Sequence, residues 1–345
     1  MTSGRSHCQG NSIDQERKIA LLKEPQTYPE NPLRIEVVET HMSWVFLTRR
    51  HAYKLKKPVR YDFLDFSTLA AREKNCAEEV RLNRRLARDL YLGVIPLIVD
   101  PLGKVRLGGE GEILDWLVKM RRLPRRLFLD HMIKQHTIRE TDIRRVAFKL
   151  AQFYKQCPPL TISGSEYRTQ LRSDIYANFR ELGQALDGLP SDDIALSQQA
   201  QLALLNDKPE LFDQRASAGR IIEGHGDLRP EHICLEDEPV IFDCLEFNRR
   251  FRTVDAADEL AFLAMECERI GAAFTDSVLF EVYTQITNDQ PEPELVNFYK
   301  AYRACLRAKL AIWHTRELAK PAWPKWCELA SHYLGLARKY SQRIS

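Results

Sequence analysis

Two carboxylates sixteen residues apart, Asp227 and Asp243, are joined by a segment that can fold back on itself. Asp227 stands in the run His225-Gly226-Asp227-Leu228-Arg229-Pro230-Glu231-His232. After it come two short β-favouring segments, Ile233-Cys234-Leu235 and Val240-Ile241-Phe242, with Glu236-Asp237-Glu238-Pro239 as polar turn chemistry between them. A hairpin over these residues brings Asp227, which enters the first strand, and Asp243, which leaves the second, to the same end. One carboxylate that orients a hydroxyl, beside another that holds Mg²⁺ on nucleotide phosphates, is the pairing that phosphoryl transfer from ATP requires. Each role calls for an oxyanion, because a hard divalent cation prefers oxygen ligands and a hydroxyl needs an anionic partner.

The elements that must position this pair follow from periodicity and turn chemistry. Residues 13–23 read as a short helix closed by Pro25 and Pro29, and residues 1–11, polar and rich in Ser and Gly, as a disordered tail. Residues 33–38, 44–47 and 52–56 read as strands of a small antiparallel sheet. A long helix is expected over 68–90 with Ser67 or Thr68 as N-cap, then strands over 94–99, 105–107 and 113–120, ending near Leu123-Pro124. Beyond that point the pattern is helical: 141–156, 166–182, 192–214, and after the hairpin 255–270, 272–287, 293–318 and 323–343. Lys54 and Lys56 lie on one face of their strand because side chains alternate with period two, whereas Lys57 points the other way. Asp255 and Asp258 open a helix, where carboxylates favour the dipole, and Glu246 is an unassigned acidic neighbour.

These residues carry a resemblance. His225-Gly226-Asp227 followed by Asp243 resembles the catalytic loop and metal-binding Asp of aminoglycoside phosphotransferases and choline kinase-like proteins, distant relatives of protein kinases. So do the stretches Thr40-His41-Met42-Ser43-Trp44, Ala52-Tyr53-Lys54-Leu55-Lys56-Lys57-Pro58, Phe63-Leu64-Asp65-Phe66-Ser67 and Arg81-Leu82-Asn83-Arg84-Arg85-Leu86. They are similar to the bacterial subgroup often fused to a P-loop ATPase domain. No G-x-x-x-x-G-K-[ST] string occurs in this sequence.

The resemblance implies an α+β, bilobal, protein kinase-like fold: 1–30 as tail and short helix, 31–122 as a small nucleotide-binding lobe with an antiparallel sheet and one long helix, and 123–345 as a larger helical lobe carrying the catalytic loop. It places nucleotide in a cleft between the lobes, with Lys54 on the α and β phosphates, Lys56 as the competing choice, and Glu79 as the lysine's partner ahead of Glu78. Ser43 in the glycine-free 40–43 turn would contact phosphate oxygens, and the adenine would hydrogen-bond backbone near Lys119, Met120 and Arg121. Asp227 becomes the catalytic carboxylate, His225 a loop brace, and Asp258-Glu259-Leu260-Ala261 a capping or bracing element. The family pattern H-G-D-x-x-x-x-N carries a metal-binding Asn where this chain has His232. An imidazole there suits transition metals better than Mg²⁺, so Asp243 and His232 are the metal candidates, with Mn²⁺ beside Mg²⁺. The implied activity is ATP-dependent transfer to a small-molecule hydroxyl; the alternative is a nucleotide-binding pseudokinase or scaffold.

Composition fits and excludes. With 345 residues, 44% hydrophobic and 29% charged, the chain can bury a sizeable core. A net charge of +3 gives no general attraction to nucleic acid or membrane. No apolar run is long enough to cross a bilayer, and the polar start offers no secretory core. The 8 cysteines show no C-x-x-C pair, which fits thiols in a reducing, cytoplasmic compartment.

Overall fold

A computed structural model describes residues 14–61, 63–184, 189–317 and 320–344. The expected disordered tail over 1–11 lies outside them. The chain divides into two compact units: Met1–Leu123 with Glu246–Asn248, and Pro124–Leu245 with Arg249–Ser345.

In the first unit, α1 (Gln15–Leu22) precedes β1 (Glu36–Glu39), β2 (Ser43–Leu47), β3 (His51–Lys56) and a small hairpin of β4 (Arg60–Tyr61) and β5 (Leu64–Asp65). Then come α2 (Leu69–Asn83), β6 (Tyr91–Val99), β7 (Val105–Leu107) and β8 (Glu112–Arg121). Six of the strands form one antiparallel sheet in the order β1-β2-β3-β8-β6-β7. Alternation along β3 sends Tyr53 and Leu55 into an apolar cluster with Leu22, Tyr28, Phe46, Leu97 and Leu117. Buried Asp115 on β8 ties both helices to the sheet, accepting from Lys18 at 2.8 Å and from Arg72 at 2.7 and 3.0 Å.

Thr68 is the N-cap of α2, accepting the Ala71 N–H. The helix stops at Asn83 rather than near Leu90, a correction with a visible cause. Past Asn83 the chain tightens into three-residue turns, the Arg85 N–H meeting the Leu82 carbonyl and the Leu86 N–H the Asn83 carbonyl, with Arg85 Nε also on the Leu82 carbonyl.

The second unit is mainly helical: α3 (Leu129–Lys134), α4 (Glu140–Gln156), α5 (Gly164–Gly183), α6 (Ser191–Asp207), α7 (Pro209–Ser217), α8 (Ala256–Arg269), α9 (Thr275–Thr287), α10 (Pro293–Glu317) and α11 (Trp323–Ser341). The single helix expected over 192–214 is two, because Pro209 supplies no N–H to continue α6 and instead opens α7. Two short antiparallel pairs complete the unit: β9 (Ile221–Glu223) with β12 (Thr253–Asp255), and β10 (Ile233–Cys234) with β11 (Val240–Ile241). Its main core gathers Tyr167, Ile175, Phe212, Phe262, Phe298 and Tyr333.

Candidate active site

Pairing of β9 with β12 fixes where the His-Gly-Asp loop begins and where α8 starts. Asp255 ends β12, caps α8 by accepting the Ala257 N–H, and receives both Nε and Nη2 of Arg215. One turn into α8, the buried Glu259 Oε1 accepts the backbone N–H groups of His225 at 2.6 Å and Gly226 at 2.5 Å. The loop tolerates no side chain at two points. A Cβ on Gly224 would lie 2.6 Å from the Glu259 carboxylate, and Gly226, at φ +86°, would set one 2.9 Å from the Phe251 carbonyl. Asp258 does not serve mainly as a helix-dipole carboxylate: it holds Arg303 Nε at 2.8 Å, and Arg303 Nη1 reaches the Gly226 carbonyl at 3.4 Å.

His225 braces this loop against the second half of the hairpin. Its Nε2–H donates to the Phe242 carbonyl at 2.8 Å, and its Nδ1 accepts the Asp227 N–H at 3.3 Å. Burial, reinforced by His232, pushes its pKa down to about 4. The ring therefore stays neutral and structural.

The β10–β11 hairpin then brings Asp227, His232 and Asp243 together. His232 Nδ1 is 2.8 Å from the Asp227 carbonyl oxygen and must carry the proton of that bond. In the neutral ring the lone pair is then on Nε2, which lies 3.5 Å from Asp243 Oδ2 and 3.3 Å from Nη2 of Arg229. The same ring lies 3.7 Å from Asp227 Oδ2. Asp243 adopts a left-handed backbone, φ 64°, uncommon for a non-glycine residue.

Arg229 was not anticipated as a site residue. Its Nε and Nη2 each meet one Asp227 carboxylate oxygen at 2.9 Å. Burial opposes the charge on Asp227, but Arg229, His232 and Arg307 outweigh it and hold the carboxyl well below the ordinary range.

In the first unit, Lys54 and Lys56 share Glu79, as their common strand face predicts: Lys54 Nζ to Oε1 is 2.9 Å and Lys56 Nζ to Oε2 is 2.7 Å. Glu78 instead pairs with Arg81 near the surface. Lys56 is 1% exposed and also meets Glu246, while the Lys54 side chain keeps 14% exposure. Burial alone would lower the Lys56 pKa; Glu246 and Glu79 together raise it. Two expected nucleotide contacts fall on groups that already make bonds. Ser43 is buried, with its N–H taken by Thr40 Oγ1 and its carbonyl by the Thr40 N–H, so its backbone closes the turn. Lys119 and Met120 pair with β3 on one side and β6 on the other, and the Arg121 N–H goes to the Leu90 carbonyl, so this backbone is already used by the sheet. Lys119 itself lies over the Tyr53 ring.

Among the described residues, no group of three or more His, Cys, Asp and Glu side chains gathers to hold a metal unaided. Asp243 and the His232 lone pair fit a cation that takes its remaining ligands from nucleotide phosphates and water, as Mg²⁺ and Mn²⁺ commonly do.

The fold is the kinase-like one of choline kinases and aminoglycoside phosphotransferases. A choline kinase from Cryptosporidium parvum superposes with a TM-score of 0.57 at 10% identity, over 95% of this chain and 96% of that one. An aminoglycoside 2'-phosphotransferase IIIa variant in complex with GDP gives 0.55 at 11% identity, over 89% and 92%. A choline/ethanolamine kinase family protein from Mesorhizobium loti gives 0.51 at 15% identity, over 93% and 99%. In sequence, uncharacterized proteins of Mycobacterium tuberculosis and Mycobacterium bovis are each 34% identical over 279 residues, 80% of this chain and 54% of the relative. The chain thus spans about half the length of the curated relatives it matches. No family model matches it. Among the described residues, no helix is long and apolar enough to cross a membrane.

Proposed function

We propose that this chain is an ATP-dependent phosphotransferase that moves the γ-phosphate to a hydroxyl of a small molecule. The reading is carried by one imidazole, His232, lying within 3.7 Å of Asp227 and 3.5 Å of Asp243. Asp227, kept anionic by Arg229, accepts a hydrogen bond from the acceptor hydroxyl and orients it; so acidic a carboxyl is a weak proton sink, and its main contribution is alignment. Asp243 and His232 are the residues that would hold Mg²⁺ or Mn²⁺, whose chemistry is to neutralise phosphate oxygens. Lys54, oriented by Glu79, is the cation assigned to the nucleotide phosphates, and Lys56 supports Glu79 from behind. A cytoplasmic setting accords with the buried thiols of Cys76, Cys267 and Cys305.

The test is a phosphate-transfer screen of hydroxylated metabolites with ATP, in Mg²⁺ and separately in Mn²⁺. Asp227→Asn should lower turnover by orders of magnitude with nucleotide affinity nearly intact; unchanged turnover removes Asp227 from the mechanism. A second reading, a nucleotide-binding protein without transferase activity, draws on Arg229 occupying both Asp227 oxygens. It predicts thermal stabilisation by ATP with no transfer to any acceptor.

A further inference from the structure

A second cationic group lies along the catalytic loop and is paired above with no ligand. On α10, Arg303 touches the Gly226 carbonyl. Arg307 stands one turn further along the same helix face, about 5–6 Å on, and a run of ion pairs through Glu266, Arg269, Glu231 and Arg229 links it to Asp227. Its electrostatic effect on the Asp227 carboxyl agrees with that placement.

Arg307 is held from one side only. Its Nε is 3.2 Å from the fully buried Glu266 and 3.4 Å from the Tyr333 hydroxyl, and its guanidinium lies over the Tyr333 ring. Its two terminal Nη groups donate to no described residue, although the side chain is only 19% exposed. Glu266 cannot neutralise Arg307 alone, because it also takes Arg269 Nε at 2.8 Å and the Tyr333 hydroxyl. Glu231 lies 3.8 Å from Arg229 and 4.0 Å from Arg269, so it offsets those two guanidiniums and leaves Arg307 in excess. A planar fork with its Nε anchored and both Nη groups open is built for two-point binding of a carboxylate or phosphate.

We propose that Arg307, seated on Glu266 and Tyr333, binds an oxyanion beside Asp227, and that this oxyanion is an acidic group on the hydroxyl acceptor. The inference rests on the phosphotransferase reading for the word acceptor, not for the anion site itself. An acceptor bearing an ammonium group would meet like charge here. The other source of the same chemistry is the terminal phosphoryl group of the nucleotide.

Calorimetric titration of the full chain with glycerol 3-phosphate, glycerate, glycerol and ethanolamine, and separately with imido-ATP and ADP in Mg²⁺, tests the proposal. Glycerol 3-phosphate and glycerate should bind more tightly than glycerol or ethanolamine. Arg307→Gln should weaken the anionic probes at least tenfold and leave imido-ATP unchanged. Arg307→Lys keeps a charge against Glu266, carries the test if the Gln variant unfolds, and should lose most of that affinity because it lacks the fork. Weakening of imido-ATP but not ADP would assign the fork to the terminal phosphoryl and overturn the acidic acceptor. Equal binding of anionic probes to wild type and both variants, or preference for ethanolamine, would overturn the anion site. Failure of wild type to bind imido-ATP, with glycerol 3-phosphate still bound through Arg307, would defeat the phosphotransferase reading and leave the anion site standing.

Discussion

His232 Nε2 lies 3.5 Å from Asp243 Oδ2, on the far side of the ring from the Nδ1–H that the Asp227 carbonyl accepts. In the neutral ring that bond sets the tautomer, so a nitrogen lone pair and a carboxylate oxygen face the same space. Among the described residues the 3.3 Å approach of Arg229 Nη2 competes for the lone pair, and Arg229 has two shorter bonds to Asp227.

The first prediction concerns metal choice. An imidazole nitrogen favours Mn²⁺ over Mg²⁺, so wild type should prefer Mn²⁺ by roughly tenfold and His232→Asn should remove that preference. Nitrogen hyperfine coupling in the EPR spectrum of bound Mn²⁺, present in wild type and absent in the variant, checks it independently of turnover.

Lys54 and Lys56 should separate by phenotype. Lys54→Met leaves Glu79 paired with Lys56, so the fold should persist while the KM for ATP rises. Lys56→Met leaves Glu79 to Lys54 and strips the buried Glu246 side chain of its lysine, a loss of about 3–5 kcal/mol for a broken buried pair. Urea denaturation beside nucleotide titration distinguishes them; equal stability of the two variants would contradict the assignment.

His225 predicts a pH dependence of stability. Its folded pKa of about 4 lies below the ordinary histidine value of 6.5. The unfolded chain therefore takes up a proton first as pH falls. Stability from this group is full above pH 6.5, declines between 6.5 and 4, and is wholly lost below 4, about 3 kcal/mol in all. His225→Gln should be less stable at neutral pH and show a shallower decline over that window, read from unfolding free energies measured at each pH.

Two glycines should respond oppositely to alanine. Gly226→Ala meets the Phe251 carbonyl in a left-handed backbone and should cost about 1–3 kcal/mol. Gly335→Ala, in α11 with nothing within 4 Å of the new methyl, should gain about 0.5–1 kcal/mol. Thermal melts of both variants, run side by side, provide the measurement.

Much of this architecture is legible in the residues. Period-two alternation placed Lys54 and Lys56 on one face, and two apolar triplets around a Pro-ended turn marked the hairpin between Asp227 and Asp243. Local pattern failed where side chains or distant strands decide. The apolar spacing of α2 runs on past Asn83, but there the backbone tightens into three-residue turns that take the last carbonyls. Strands β9 and β12 are three residues each and pair across thirty positions, too short and too remote for a period to show. Arg229 could have been suspected, since a cation two residues after a loop carboxylate can turn back on it. The hold of Glu259 on the loop, and of Glu266 on Arg307, needs α8 and α10 already packed.

The return of Glu246–Asn248 to the first unit bears on how this molecule can be dissected. A fragment cut after Leu123 would keep Lys56 interred beside a single acid already shared with Lys54, lacking the counter-charge that arrives from more than a hundred residues downstream. Such a truncation is expected to be recovered as insoluble material, and a graft of the 246–248 tripeptide through a short linker to be the minimal repair.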